Sequence, residues 1–355
     1  MRSSGLAGPR FQDAVDVVRH HGAVQAQDYG PAKWSIGQRT DGVVDSGVEA
    51  ALAAGTILRT HVMRPTWHFV AGEDARWLLE LTGPLVRRAT AARFRQLGLD
   101  PKTLDRCEAA VARELEGGNH LTRAEVGGVL DERGIDRSGQ RFPHILMHLE
   151  PGAVVCSGAS RAGAHTYALL DERVPATPAR DRDDALAELA RRYLTSHGPA
   201  TANDLRWWSS LSAADVARAH DLLRDELVST EVEGVVLWSV AEETGRAPRT
   251  SRPHLLQTYD ELVVGYTRSR FLGDPARAAI LGAWRDRTVP GSLVLIDGAV
   301  AGYWKRELRG DEVVVRIHAR AGVDARGQRA LERAAAELGR FLGRRAVLEV
   351  RGNGR

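Results

Sequence analysis

The chain has 355 residues, of which 43% are hydrophobic and 27% are charged. This length favours two or three domains, or several small ones in tandem, and the apolar fraction is sufficient for sizeable cores. No apolar run approaches the roughly 20 residues of a membrane-spanning helix, and the first residues lack the apolar stretch of a secretory signal. We therefore expect a cytoplasmic protein with no membrane partner.

The net charge of +3 hides an asymmetry along the chain. Residues 246–355 carry 21 basic against 12 acidic residues, while the remainder is acidic. A basic third indicates an anionic partner, with nucleic acid favoured over a membrane because no amphipathic anchor is evident. An arginine-rich composition can also follow from codon bias. Only Lys33, Lys102 and Lys305 are lysines, which limits Schiff-base chemistry and favours the planar, bidentate contacts of arginine.

The sequence lacks the motifs that are typical of several enzyme classes. The two cysteines, Cys107 and Cys156, have neither CxxC nor Cys/His ligand spacing, so zinc and a disulfide framework are not expected. The chain contains no GxxxxGKS/T, GxGxxG, HExxH or GxSxG pattern, which are typical of nucleotide hydrolysis, dinucleotide binding, zinc proteolysis and α/β-hydrolases. We therefore expect no metal and no cofactor.

Residues 1–115 predict a first winged helix with a helical extension. The segments FQDAVDVVRHHG and GVEAALAAG have helical spacing, and TILRTHVMRPTWHFV alternates like two strands bent at Arg64-Pro65. Residues 116–180 predict a second winged helix. There, Thr122 and Glu125 have the spacing of a capping box, RFPHILMHLE predicts a helix, and AVVCSG and RAGAHTYALL predict strands.

Residues 181–243 show the winged-helix order most clearly, with three helices followed by a two-stranded hairpin. Thr201 and Ser212 stand where the N-caps of the second and third helices are expected, and LVSTEVEGVVLWSV is a hairpin that turns near Glu233-Gly234. Three winged-helix units in tandem are therefore our prediction to about residue 240. A generic helical bundle with additional hairpins is the alternative.

Residues 244–355 predict a β-rich C-terminal domain, reached through the polar segment AEETGRAPRTSRP. Asp297-Gly298 between two apolar segments is typical of a tight hairpin turn, and the helix ARGQRALERAAAELGRFLG precedes the last strand. We interpret this part as a small β-barrel-like domain, or a sheet, with one helix packed on it. The predicted fold class is α+β, with three tandem winged-helix units followed by this domain.

Several segments together carry a family resemblance. VQAQDYGPAKWSIGQRT, LRTHVMRPTWHFV, HLLQTYDELVVGYTRSR and VLIDGAVAGYWKRE resemble the AlkZ-like DNA glycosylases of the YcaQ/AlkZ superfamily, winged-helix proteins that excise bulky N7-alkylguanines and unhook interstrand crosslinks. Glutamine–apolar–glutamine is the pattern of the AlkZ-like branch, whereas the YcaQ-like branch has aspartate at the second position. The resemblance implies that Gln25 and Gln27 are the catalytic residues and that double-stranded DNA with alkylated purines is the partner.

The chemistry of such a lesion explains how two neutral amides can suffice. Alkylation at N7 makes guanine cationic and weakens the glycosidic bond, so the attacking water needs orientation more than a strong acid. Residues i and i+2 point the same way on an extended backbone, but on a helix they diverge by about 200°. The hypothesis therefore requires a non-helical backbone, which Gly22 and Gly30-Pro31 favour. The alternative is a pair of solvent-facing glutamines.

Further candidates surround this pair. Asp28 is the second-choice catalytic residue, as a carboxylate base, although it would face the opposite side of an extended strand. Lys33 is interpreted as a phosphate contact in preference to a lyase nucleophile. The full set of predicted DNA-binding residues is Lys33, Gln38, Arg59, His61, Arg64, His68, Arg141 and His144. Of these, Arg64 could contact phosphate or enter a minor groove, and Arg141 and His144 could equally be solvated residues. For Tyr259, Asp260 and Glu261 we expect structural hydrogen bonds instead of catalysis.

These observations predict a monofunctional DNA glycosylase. It would hydrolyse the N-glycosidic bond of N7-alkylated purines, including those in interstrand crosslinks, as a monomer with an open, shallow site. A non-catalytic winged-helix transcriptional regulator is the main alternative, and it would bind an undamaged operator, usually as a symmetric dimer. A protein-interaction scaffold is the third possibility, and it would show no salt-dependent binding to DNA.

Overall fold

The computed structural model describes residues 1–241, 252–267, 269–274, 277, 291–320 and 322–352. Most of the predicted linker, and the predicted domain boundary at residue 244, lie outside these ranges. The chain forms two compact units. The first contains Met1–Val48, Arg191–Trp207 and Leu223–Arg355, and the second contains Glu49–Ala190 and Trp208–Leu222. The division into four domains stays a prediction.

The described residues form a mixed α+β protein. The helices are α1 (Ala14–His21), α2 (Tyr29–Gly37), α3 (Asp45–Ala54), α4 (Ala75–Gln96), α5 (Pro101–Leu115), α6 (Arg123–Glu132), α7 (Arg141–Leu149), α8 (Leu170–Arg173), α9 (Arg182–His197), α10 (Ala202–Ser209), α11 (Ala213–Leu222), α12 (Glu261–Val264) and α13 (Ala325–Leu342). The strands are β1 (Val24–Gln25), β2 (Ile57–His61), β3 (Trp67–Ala71), β4 (Leu121–Thr122), β5 (Val155–Ser157), β6 (Thr166–Leu169), β7 (Leu227–Val232), β8 (Val235–Val240), β9 (His254–Leu256), β10 (Leu293–Ile296), β11 (Ala299–Arg309), β12 (Glu312–Ala319) and β13 (Arg345–Gly352).

Five strands of the first unit form an open sheet in the order β13-β12-β11-β10-β9. Strands β9 to β12 pair antiparallel, and β13 pairs parallel with β12 after α13 carries the chain across. Within the described residues β9 and β13 are the two sheet edges, so the predicted barrel-like closure is wrong. The physical reason is the crossover, since it adds the last strand beside β12 and not beside β9.

Turns and caps that the sequence predicted are confirmed. Asp297 and Gly298 both have positive φ, at 51° and 84°, and join β10 to β11 as a two-residue hairpin turn. Glu233 and Gly234 do the same between β7 and β8. Thr122 caps α6 in a complete capping box with its N3 residue. These features were predictable because each depends on a few neighbouring residues.

One core of the second unit lies between the helices α5, α6 and α7 and the sheet β4-β6-β5. Buried side chains of this core include Leu115, Leu130 and Ile145, each with no exposed surface. Cys107 belongs to the same core, and burial raises the pKa of its thiol to about 11. Burial likewise raises the pKa of the Cys156 thiol to about 12. Both cysteines are thus inert packing residues. No helix in the described part of the chain is long and apolar enough to cross a membrane.

Two helical glycines of the second unit, one closely packed and one not, allow a controlled test of helix packing. A Cβ at Gly83, inside α4, would overlap the carbonyl oxygen of Pro151, whereas a Cβ at Gly128, inside α6, would meet no atom. We expect Gly83→Ala to lower the free energy of unfolding by about 1–3 kcal/mol through overpacking. Gly128→Ala should raise it by roughly 0.5–1 kcal/mol through helix propensity. Urea unfolding measures both, and stabilisation by Gly83→Ala would contradict the packing of α4 against Pro151.

Candidate active site

The glutamine pair lies on a non-helical segment of the first unit. α1 ends at His21 and Gly22 has a φ of 73°, after which Gln25 closes the short strand β1. Residues 26 to 28 are neither helix nor strand, and α2 begins at Tyr29. The non-helical backbone that the two-amide hypothesis requires is therefore present. Gln25 is buried, with 4% of its surface exposed, and Gln27 is exposed.

A buried carboxylate holds the backbone at Gln25. The amide of Gln25 donates to Oε1 of Glu261 at 2.6 Å, and Glu261 is 1% exposed. The second oxygen, Oε2, lies 3.2 Å from Nε2 of His197. Both partners of the carboxylate come from segments distant in sequence, which is why His197 could not be predicted from any local pattern. The structural hydrogen bonding predicted for Glu261 is confirmed, and it holds the main chain at Gln25.

The neighbouring carboxylate, Asp260, fixes helix α2. Its two oxygens accept from Nη1 and Nη2 of Arg39 at 2.8 and 2.7 Å, and Ser35 Oγ donates to it at 2.9 Å. Burial alone would raise the pKa of Asp260, but the charge and hydrogen bonds of Arg39, with those of Leu262 and Ser35, hold it below its usual range. Asp260 therefore remains ionised as a buried anchor. Its predicted structural role is confirmed.

A cleft of about 400 Å³ opens beside the start of α2. Its lining joins α2, the loop after β9 and strand β11, and consists of Asp28, Pro31, Trp34, Gln257, Thr258, Ser292, Trp304, Lys305 and Arg306. Burial lowers the pKa of Arg306, while the charges of Asp28 and Asp45 act in the opposite direction. The cleft thus places two cations and one exposed carboxylate next to the glutamine segment. Arg306 was not among the sequence-predicted residues, although the basic balance of this third pointed to its region.

Two predicted DNA contacts of the first unit lie inside the protein. Lys33 is 5% exposed, and its Nζ donates to Oδ2 of Asp45 at 2.8 Å. Gln38 is 3% exposed, and its Nε2 lies 3.3 Å from Oδ2 of Asp260. Because both side chains are buried, a phosphate contact would require each to move outward and leave its present partner. The geometry therefore does not favour Lys33 or Gln38 as DNA contacts.

The predicted contacts on the β2–β3 hairpin belong to the second unit, and two of them are also buried. His61 donates its backbone amide to Oε2 of Glu150 at 2.9 Å, and its Nδ1 lies 2.6 Å from the same oxygen. Burial, together with the charges of Arg64 and His61, lowers the pKa of His68 well below its usual range. His68 is therefore neutral and cannot serve as a cation for DNA. Glu150 is a structural partner that sequence reasoning missed.

The remaining predicted contacts are partly exposed. Arg59 places its guanidinium over the ring of Trp67, 4.3 Å from the centroid, so Trp67 packs within the hairpin. Arg64 brings Nη2 to 3.4 Å from Nε2 of His68. At the start of α7, Arg141 donates to the carbonyl oxygens of Asp136 and Leu97, and His144 Nδ1 lies 2.7 Å from the carbonyl oxygen of Gln140. Arg141 and His144 thus stabilise the local backbone.

Gln25 and Gln27 thus lie on a non-helical backbone beside a cationic cleft, and the amide of Gln25 is held by Glu261. Across the described residues, no group of three or more His, Cys, Asp or Glu side chains is arranged to hold a metal ion. Comparison with known proteins identifies the class.

The family model described as "DNA glycosylase AlkZ-like" matches residues 18–341. The chain is also 27% identical over 322 residues to the "Interstrand DNA cross-link repair glycosylase" of Streptomyces sahachiroi, a match that covers 86% of this chain and 85% of that protein. The solved structure of Streptomyces sahachiroi DNA glycosylase AlkZ is similar with a TM-score of 0.78 and 25% identity, over 98% of this chain and 96% of that one. The protein is a DNA glycosylase, and the chain belongs to the AlkZ-like family. This assignment replaces the alternatives of a non-catalytic regulator and a scaffold.

Loss of Arg39, the buried cation beside Asp260, should lower the stability of the fold. We expect Arg39→Met to lower the free energy of unfolding by about 3–5 kcal/mol, because it leaves an uncompensated buried carboxylate. The matched control is Arg218→Met, which removes an arginine from an exposed ion pair with Asp183 and should change stability little. Denaturant unfolding of the two variants makes the comparison, and equal effects would show that Asp260 does not depend on Arg39.

Proposed function

We propose that the protein is a monofunctional glycosylase that hydrolyses the N-glycosidic bond of N7-alkylated purines in double-stranded DNA. The similarity to the interstrand DNA cross-link repair glycosylase of Streptomyces sahachiroi supports extending this activity to interstrand crosslinks. The observation that carries the proposal is the glutamine–apolar–glutamine segment on a non-helical backbone, with Gln25 anchored by Glu261. Gln25 and Gln27 are the proposed catalytic residues.

The proposed reaction uses the charge of the lesion. When the bond between C1′ and the base nitrogen breaks, its electron pair moves to the base and neutralises the positive charge created by N7 alkylation. The sugar becomes oxocarbenium-like, and the side-chain carbonyl oxygens of Gln25 and Gln27 stabilise this charge and orient a water molecule. Water adds to C1′ and releases a proton to solvent or to Asp28, which is exposed beside the cleft.

Contacts to the DNA backbone would come from the cations that remain accessible. In the first unit these are Lys305 and Arg306 of the cleft, and in the second unit Arg59 and Arg64 are partly exposed. Lys33, Gln38, His61 and His68 are left out of this set because they are buried among internal partners. We further propose that the three predicted helix–hairpin units are winged helices and that the enzyme acts as a monomer.

Substitution of either glutamine tests the catalytic assignment. The substrate is a duplex with one N7-methylguanine, and the measurement is the single-turnover rate of free-base release, with mild alkali to reveal the abasic sites. We expect Gln25→Ala and Gln27→Ala each to lower this rate by about 100-fold, the magnitude typical for loss of one preorganised polar group. Gln328→Ala, at a half-buried position on α13, is the control and should retain the wild-type rate. Undiminished release by both catalytic-segment variants would reject the pair.

Reductive trapping tests whether the enzyme is a hydrolase or a lyase. A lyase would form an imine between a lysine and C1′, and borohydride would convert that imine into a stable protein–DNA adduct. Because Lys33 is buried and paired with Asp45, we expect no adduct and no strand break without alkali. A trapped adduct that disappears in Lys33→Ala would instead establish the lyase mechanism.

A further inference from the structure

Glu261 is a buried carboxylate that has no direct role in the proposed hydrolysis. We propose that Glu261 is the positioning residue of the catalytic segment, and that its carboxylate fixes where Gln25 and Gln27 stand by holding the backbone amide of Gln25. This inference rests on the proposed function, since it concerns the same two glutamines. It assigns no direct contact with DNA to Glu261.

The hydrogen bond between these residues has the properties of a strong anchor. The distance from the Gln25 amide to Oε1 of Glu261 is 2.6 Å, and the acceptor is a carboxylate. Charge-assisted bonds of this type are short and roughly twice as strong as neutral ones. Only 4% of Gln25 and 1% of Glu261 are exposed, so water competes little for either group. The anchor acts on the main chain of Gln25.

The carboxylate is itself held in one orientation. Oε2 lies 3.2 Å from Nε2 of His197, and Nδ1 of that ring lies 2.8 Å from Ser196 Oγ. The imidazole stacks on Tyr193 with ring centroids 4.6 Å apart. Gly265 leaves room for it, since a Cβ there would overlap the His197 ring. Glu261 therefore has no freedom to turn away from Gln25 while this packing persists.

The adjacent residue anchors the other side of the same segment. Asp260 binds Ser35 and Arg39 on α2, while Glu261 binds Gln25 at the end of β1. Residues 26 to 28 thus run between two anchors that are neighbours in the chain. A short segment fixed at both ends has few available backbone conformations, so the directions of Gln25 and Gln27 are set together. Misplacement of a catalytic group by about 1 Å can cost roughly 100-fold in rate.

Three substitutions of Glu261 test whether activity depends on the position of its acceptor oxygen, on its charge or on its contribution to the stability of the fold. Glu261→Gln keeps an oxygen for the Gln25 amide, and His197 can accept from the new NH₂ group by changing tautomer while Ser196 accepts from Nδ1. Glu261→Asp keeps the charge but shortens the side chain by one methylene. Glu261→Leu removes the acceptor. Val313→Ala, in a buried position on β12, is the control for general loss of core packing.

The measurements are single-turnover release of N7-methylguanine, affinity for the same duplex, and hydrogen exchange of the Gln25 amide. We expect Glu261→Asp and Glu261→Leu to slow release by about 10- to 100-fold with affinity changed less than about threefold and with faster amide exchange. Glu261→Gln should recover most of the rate and of the protection. Val313→Ala should be destabilised but should retain the rate at a temperature where it is folded.

The outcomes distinguish this inference from the proposed function. Wild-type rates in folded Glu261→Asp and Glu261→Leu, with Gln25→Ala inactive, would overturn the positioning role alone. Inactivity of Glu261→Gln equal to that of Glu261→Leu would also overturn it, because the acceptor would then not be what matters. If Glu261→Leu does not fold, Glu261→Asp decides the question. If the wild type releases no base, the proposed function fails, and the Gln25 amide exchange still tests the anchor.

Discussion

The buried carboxylate of Asp260 is the constraint on which the first unit depends. A fully buried charge is tolerated only when a counter-charge and hydrogen bonds compensate it, and Asp260 receives both from Arg39 and Ser35. These partners lie more than 200 positions earlier in the chain. The bond therefore unites the N-terminal helix α2 with the loop that follows β9. Because Glu261 is the next residue, the same loop also delivers the group that holds Gln25.

In this site charged side chains stabilise the structure, and neutral side chains are proposed to carry out the chemistry. Buried charged side chains are paired, as in Asp260 with Arg39 and in Lys33 with the partly exposed Asp45, whereas the groups proposed to act on the substrate are neutral amides. In the proposed reaction the leaving base supplies the positive charge that other substrates would need from a general acid. In the proposed complex the cations for the DNA phosphates are Lys305 and Arg306 of the cleft.

The sequence predicted local features well and long-range features poorly. The capping box at Thr122 and the turn at Asp297-Gly298 are determined by residues close together in the chain. The non-helical backbone at Gln25 followed from the glycines and proline around it. The barrel-like closure was wrong because strand order depends on where the chain after α13 returns to the sheet. The burial of Lys33 and His68 could not be predicted either, since no local sequence pattern reveals that a polar side chain has an internal partner. His197 and Arg306 were missed for the same reason.

The bond between Glu261 and Gln25 joins a side chain to a main-chain amide, and this has a consequence for how the site can diversify. Every amino acid except proline carries that N–H group, so the hydrogen bond itself does not require glutamine at position 25. If the proposed catalytic role of this segment holds, the same backbone anchor can present other side chains at positions 25 and 27 that fit the surrounding packing. The bond is lost only with a proline at position 25 or without the acceptor at position 261.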